Sequence, residues 1–316
     1  MAAADVSGFP PRLIIIGAQK AGTTSFAELL ATHSQIAMGE DKEPDFYAAQ
    51  WTRGMAWYRG LYAQARAPWL IDASPSYSTG FIDPETHQPF AVAERLARTV
   101  PDARLIYLVR DPVKRAYSSY WHERRYGSEK RAAAAALTPQ SVYVRQSLYD
   151  VHLRYFQRHF PAKHILTLRF EDINRQQSAA VDRVCAFLGL QPEAQADKPV
   201  ARNQGFQYAG PARMLETMLR SPRLTRSVLN GLKAVVPQRL RPLAKRLTTA
   251  AIPPIDPALA ADLTNRFEPH IQAFEAMTGL DCADWQRGDG AHAPLPFDYP
   301  TAEPNTAATD TDRHAC

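Results

Sequence analysis

Residues 13–30 read LIIIGAQKAGTTSFAELL. The apolar run from Leu13 to Ile16, entered after Pro11 and left at Gly17, has the length and branching of a buried strand. Apolar residues then recur at helical spacing through TTSFAELLATH, with threonines placed to open the helix. Between the two, Gly17 and Gly22 stand in G-x-x-x-x-G spacing. A loop in that position aims backbone N–H groups and the positive end of the helix dipole at an anion. In the nucleoside-triphosphate version of such a loop, a lysine follows the second glycine. Here Thr23 holds that place and the lysine lies inside the loop as Lys20. Its ammonium would meet the terminal group of the ligand from another side, while Thr23, Thr24 and Ser25 add hydroxyl donors in the first helical turn. Taken alone, the glycine spacing also suits a plain strand–helix turn.

Outward from this unit the strand–helix alternation continues. WLIDAS (69–74), ARLIYLVRD (103–111) and HILTLRFEDI (164–173) read as strands. PFAVAERLARTVP (89–101), SLYDVHLRYFQRHFP (147–161) and SAAVDRVCAFLGL (178–190) read as helices, and Pro112 suits the first turn of another. Such alternation predicts an α/β fold of three layers, a central parallel sheet between helices. Ligands of such sheets bind beyond the carboxyl ends of the strands. GAQKAGTT, DASPSY and RDP each follow a predicted strand at that end, which predicts one shared cleft. Residues 211–250 are basic, with Glu216 the only acid, and helical between Pro222, Pro237 and Pro242. DPALAADLTNRFEPHIQAFEAMTGL (256–280) returns to a helical pattern, giving a helical C-terminal part. A single domain over 1–285 is expected, with 286–316, rich in Gly, Ala, Pro, Asp and Thr, as a disordered tail.

The 316 residues, 45% of them hydrophobic and 22% charged, suffice for one large core. A formal charge of +5 favours an anionic ligand, membrane face or nucleic acid without choosing among them. Cys185, Cys282 and Cys316 form no metal-spaced cluster, and their odd number suits a reducing compartment. No signal pattern opens the chain, and the apolar runs are too short to span a bilayer. The expectation is a cytoplasmic protein, with residues 211–250 a solvated basic face or, alternatively, a surface for anionic lipid at the inner face of a membrane. No aromatic interleaving of the basic run points to base stacking, so nucleic acid is not expected as a partner.

GAQKAGTT resembles the 5′-phosphosulfate loop of sulfotransferases that use 3′-phosphoadenosine 5′-phosphosulfate (PAPS). LIYLVRDPVKRAYSSYWHE (105–123) is similar to that family's 3′-phosphate segment, and DKEPDFYA (41–48) to the K-E-P-x-F-F stretch of its glycan-type branch. The match runs well over about residues 12–190, and CAFLGL and a closing helix before Trp285 follow the later pattern. The resemblance implies a P-loop-type fold and PAPS as donor, with no metal. It also implies donor contacts from Gly17, Gln19, Lys20, Ala21, Gly22, Thr23, Thr24 and Ser25, and a 3′-phosphate grip by Arg110 and Ser118. A guanidinium at Arg110 suits that task by its bidentate fork, although an ordinary surface Arg–Asp pair reads the same way. Glu43 is implied as the base that takes the acceptor's proton, and Lys20 as the cation compensating charge on the leaving oxygen.

Other positions are less sharply defined. A glutamate before proline is commonly just solvated, and Glu40 and Asp41 are nearby carboxylates. Lys42, Ser74 and Tyr77 are candidates to meet the acceptor, with Ser76 beside them, although turn chemistry around Pro75 explains the last three as well. In DASPSY the lysine of the family's E-K-T/S-P-x-Y region is replaced by Ala73. The resemblance also implies a third nucleotide-contacting region, for which ARNQGFQYAGPAR (201–213) offers Asn203, Gly205 or Arg213 to the 3′-phosphate or adenine. His33, His122 and His159 are read as structural or solvated, and Trp51, Trp57 and Tyr58 as core or lid aromatics with sugar stacking as the alternative. The K-E-P resemblance implies as acceptor a hydroxyl, or secondarily an amine, of a glycan or glycolipid, with a small alcohol as the alternative. Competing readings are a nucleotide kinase or NTPase with a deviant loop, with Asp111 on Mg²⁺, and a non-catalytic protein binding anionic lipid.

Overall fold

In a computed structural model of the chain, residues 8–78, 91–193, 206–208, 249–288 and 295 are described. Five strands form one parallel sheet in the order β2-β3-β1-β4-β5: β1 Leu13–Gly17, β2 Ile36–Met38, β3 Trp69–Asp72, β4 Arg104–Val109 and β5 Ile165–Arg169. The loop strand β1 lies at the centre, its Leu13 level with Ile71 of β3 and with Arg104 of β4. All five of its residues are buried, as a continuous apolar strand covered on both faces should be. The sheet is therefore the predicted one with one strand more.

That extra strand is IAM, three residues on the sheet edge beside β3. Nothing so short carries a period of its own. β5 also stops earlier than HILTLRFEDI suggests. Its last four residues open helix α8 (Phe170–Arg175), with Glu171 and Asp172 in the first turn, where acids favour the helix dipole.

The other helices among the described residues are α1 Thr23–Leu30, α2 Gly54–Gly60, α3 Val92–Thr99, α4 Pro112–Arg125, α5 Ala133–Ala136, α6 Val142–Arg145, α7 Tyr149–Gln157, α9 Gln177–Leu188 and α10 Pro257–Thr278. α4 starts where Pro112 predicts, and the Asp111 carboxylate caps it by accepting from the Lys114 N–H at 3.0 Å. α10 packs on α7 and α4 and ends at Gly279 in the left-handed conformation. A two-stranded antiparallel pair joins β6 (Phe206–Tyr208) to β7 (Thr249–Ala251), so the last residues of the basic run are extended. The rest of that run, and Asn203, Gly205 and Arg213, lie outside the described residues.

The docked chain extends past Trp285. The Gln286 N–H donates to Asp111 at 3.2 Å, Arg287 pairs with Glu268 and Glu275, and the Gly288 N–H reaches Glu268 at 2.9 Å. Leu295 donates its N–H to His270 Nε2 at 2.9 Å. These contacts place the first part of the expected tail on α10, because Glu268 and His270 of that helix are buried and need partners. No helix among the described residues is long and apolar enough to cross a membrane.

Candidate active site

The loop after β1 is shaped by residues with positive φ. Lys20 has φ 72° and Gly22 has φ 84°, an arrangement that turns successive N–H groups toward one concavity. Gly22 is the N-cap of α1, and no side chain caps that helix, which leaves its first-turn amides to an external acceptor. Gly17 has no alternative, since a Cβ there would stand 2.0 Å from Ser78 Oγ. The loop is fastened to β4 by the Ala18 N–H on the Leu108 carbonyl at 2.5 Å. Ser119 of α4 donates to the Gln19 carboxamide oxygen at 3.2 Å.

Two cationic side chains, Lys20 and Arg110, meet there, with Arg125 near enough to act on Lys20. The Lys20 carbonyl accepts from Arg110 Nη1 at 3.2 Å, and the same guanidinium lies over the Phe170 ring, 4.9 Å from its centre. Lys20 Nζ stands 3.4 Å from His122 Nδ1. Burial, then Arg125 and Arg110, pull the Lys20 ammonium down to about 8, against Glu123 and Glu43, which favour its charge. Ser118 is half-buried one position before Ser119 and makes no hydrogen bond among the described residues, so its hydroxyl is open to a ligand.

The K-E-P stretch faces the same loop. Lys42 Nζ bonds Thr24 Oγ1 at 2.5 Å and Glu43 Oε1 at 2.5 Å. Glu43 is otherwise exposed, with 45% of its side chain open. The stretch is pinned from below by the turn after β3: the Asp45 N–H donates to Ser74 Oγ at 3.0 Å, and the Ser76 hydroxyl bonds the Asp45 carboxylate. Burial raises the Asp45 carboxyl above its ordinary value, the Ser76 bond opposing.

Several sequence expectations change here. Ser74 and Tyr77 are fully buried, and both donate to Asp72, at 2.6 and 2.7 Å. They do not line the cleft. DASPSY instead holds up the K-E-P stretch, with Tyr77 also receiving the Tyr47 N–H at 3.2 Å. Tyr58 stacks on Phe46 at 4.2 Å and donates to Asp72, and Trp51 and Trp57 pack beside Phe46, which is the core reading. His33 bonds the Gln191 carbonyl and His159 pairs with Glu94, both structural. His122 departs from that reading by meeting Lys20. Its only signal in the sequence is position, one helical turn past Ser118 on α4.

Asp111 is fully buried, its oxygens taken by Lys114, both N–H and ammonium, and by Gln286. Its own N–H donates to Glu171, whose other oxygen accepts from Trp285 Nε1 at 3.2 Å. The acid at the end of β4 is thus a cap and a tether, and the kinase reading loses its metal ligand.

A central parallel sheet with an uncapped, lysine-bearing loop at its carboxyl edge defines an α/β protein built to hold a multiply charged anion beside a carboxylate. Residues 11–194 match the model described as "Sulfotransferase family", and the chain belongs to that family. It is 34% identical over 190 residues to mouse heparan sulfate glucosamine 3-O-sulfotransferase 6, covering 57% of this chain and 52% of the relative. It is 26% identical over 200 residues to the Xenopus tropicalis bifunctional heparan sulfate N-deacetylase/N-sulfotransferase 1, covering 57% of this chain and 22% of that protein. The match therefore spans about half the length of the first of these relatives. The fold is shared with a sulfotransferase from Alicyclobacillus acidocaldarius (TM-score 0.63, 21% identity, 88% of this chain and 99% of that one).

Proposed function

We propose that this chain moves a sulfuryl group from PAPS to a hydroxyl of a glycan or glycolipid acceptor. The observation that carries the reading is the convergence of the uncapped α1 terminus, Lys20 and Arg110 in one cleft with Glu43 at its mouth. The donor, when bound, supplies an activated sulfuryl group on a phosphate. Loop amides and the hydroxyls of Thr23, Thr24 and Ser25 would hold that end, and Arg110 with Ser118 the 3′-phosphate. Lys20, already tied to His122, would compensate charge on the departing phosphate oxygen. Glu43 would take the acceptor's proton, a contribution of roughly 10²- to 10⁴-fold.

The acceptor class is supported by two relatives whose names specify heparan sulfate, one of them a 3-O-sulfotransferase. Titration calorimetry tests the donor site first: adenosine 3′,5′-bisphosphate is expected to bind and Mg·ATP not to. Indifference to the bisphosphate would end the reading. ³⁵S-labelled PAPS incubated with the protein and fractionated cell extract would then identify the acceptor, with label expected in an alkali-stable carbohydrate fraction.

A further inference from the structure

Lys42 occupies a position the reaction scheme above leaves without a task. Its ammonium touches Thr24, in the first turn of the anion-binding helix, and Glu43, the carboxylate at the cleft mouth, both at 2.5 Å. Thr24 lies where the end of the donor that reacts would be held, so any oxygen that Thr24 binds falls within reach of the same ammonium. The side chain is only about a quarter exposed, 26%, and Pro44, two residues on, anchors the stretch by its burial. The K-E-P stretch is further fixed through Asp45 to Ser74 and Ser76. The turn after β3 presents no charge here, since Ala73 is fully buried.

Resting on the sulfotransferase reading, we propose that Lys42 is a further catalytic residue that binds the oxygens of the transferring sulfuryl group. Before the donor arrives, its ammonium neutralises Glu43 and holds it against the loop. When the sulfuryl group enters, its oxygens take over that ammonium, and Glu43 is released to accept a proton. In the transfer, the sulfur–oxygen bond to the donor phosphate breaks and its electron pair leaves with the bisphosphate. A new bond forms from the acceptor oxygen to sulfur, and the acceptor's proton passes to Glu43. No oxidant or metal enters the balance. One cation thereby couples donor arrival to release of the base.

The test needs no acceptor. Affinities for PAPS and for adenosine 3′,5′-bisphosphate are measured by calorimetry on wild type, Lys42→Met and Lys42→Arg. Loss of one charge-assisted hydrogen bond to the sulfuryl oxygens is expected to lower the ratio of PAPS to bisphosphate affinity roughly tenfold in Lys42→Met. Bisphosphate affinity itself should stay near wild type, and Lys42→Arg should recover part of the ratio. An unchanged ratio in Lys42→Met would overturn the proposal, as would equal loss of both ligands, which marks a merely structural strut. Wild type binding neither ligand would instead remove the sulfotransferase reading itself.

Discussion

Lys20 combines two unusual features: a left-handed backbone in a residue that has a Cβ, and an ammonium brought down to about 8 by burial, Arg125 and Arg110. A ligand carrying phosphate would favour the charged form and raise that value. Near pH 8 the empty site should therefore take up roughly half a proton when the bisphosphate binds, and less at pH 6, where Lys20 is already charged. Calorimetry in buffers of different ionisation heat measures this directly. The uptake should vanish in Lys20→Met. At the same scale, Glu43→Gln should cut turnover by about 10²-fold or more with bisphosphate affinity retained. The lysine's displacement into the loop was legible in the sequence because a single residue type was out of place. His122 was not, because its partner lies 102 residues away and only the neighbouring ends of β1 and β4 bring them together.

At the scale of elements, the turn after β3 supports the K-E-P stretch through buried Asp72, which accepts from Tyr58, Ser74 and Tyr77. Burial lifts its carboxyl to about 6, with the three hydroxyl bonds opposing. A folded value above the unfolded one means this group favours the fold at low pH and loses that contribution as pH rises from 3.8 through about 6. Urea unfolding should show that slope in wild type and lack it in Asp72→Asn. Asp72→Ala, which strands three buried hydroxyls, should cost about 3 kcal/mol or more at neutral pH. The start of α1 makes a second prediction. A Cβ on Gly22 would lie 2.9 Å from the Phe170 ring, on which Arg110 rests, at a φ of 84°. Gly22→Ala should thus weaken bisphosphate binding about tenfold or more through strain of about 1–3 kcal/mol. Strands and helices with clear periods were readable from sequence. The role of DASPSY was not, since serine and tyrosine hydroxyls look alike whether they face a cleft or a buried carboxylate.

Across the whole molecule, the chain beyond α10 is tied to the site. Trp285 packs against Phe274 and Tyr149, and Tyr149 donates to the Arg110 carbonyl at 2.7 Å. Arg169, at the end of β5, pairs with Asp284 and bonds the Asp281 carbonyl. Trp285→Ala should lower unfolding free energy by about 3–5 kcal/mol, read by urea titration. Trp285→Phe keeps an aromatic ring but loses the donor to Glu171 and part of the indole's packing, and should cost less than Trp285→Ala. The contact of Leu295 with His270 was not legible in the sequence, because composition carries no sign of a single backbone hydrogen bond.

The sheet order has a bearing on how the protein is made. β1 precedes the other strands of its sheet yet sits between β3 and β4, so its flanking partners are Ile71 and Arg104 rather than anything adjacent. A ribosome must deliver Val109 before β1 is enclosed on both sides. Until then LIII is a naked apolar segment, and assembly waits on parallel, distant pairing, an intrinsically slow class of topology. The loop that follows β1 therefore precedes by some distance in sequence the strand that completes its support.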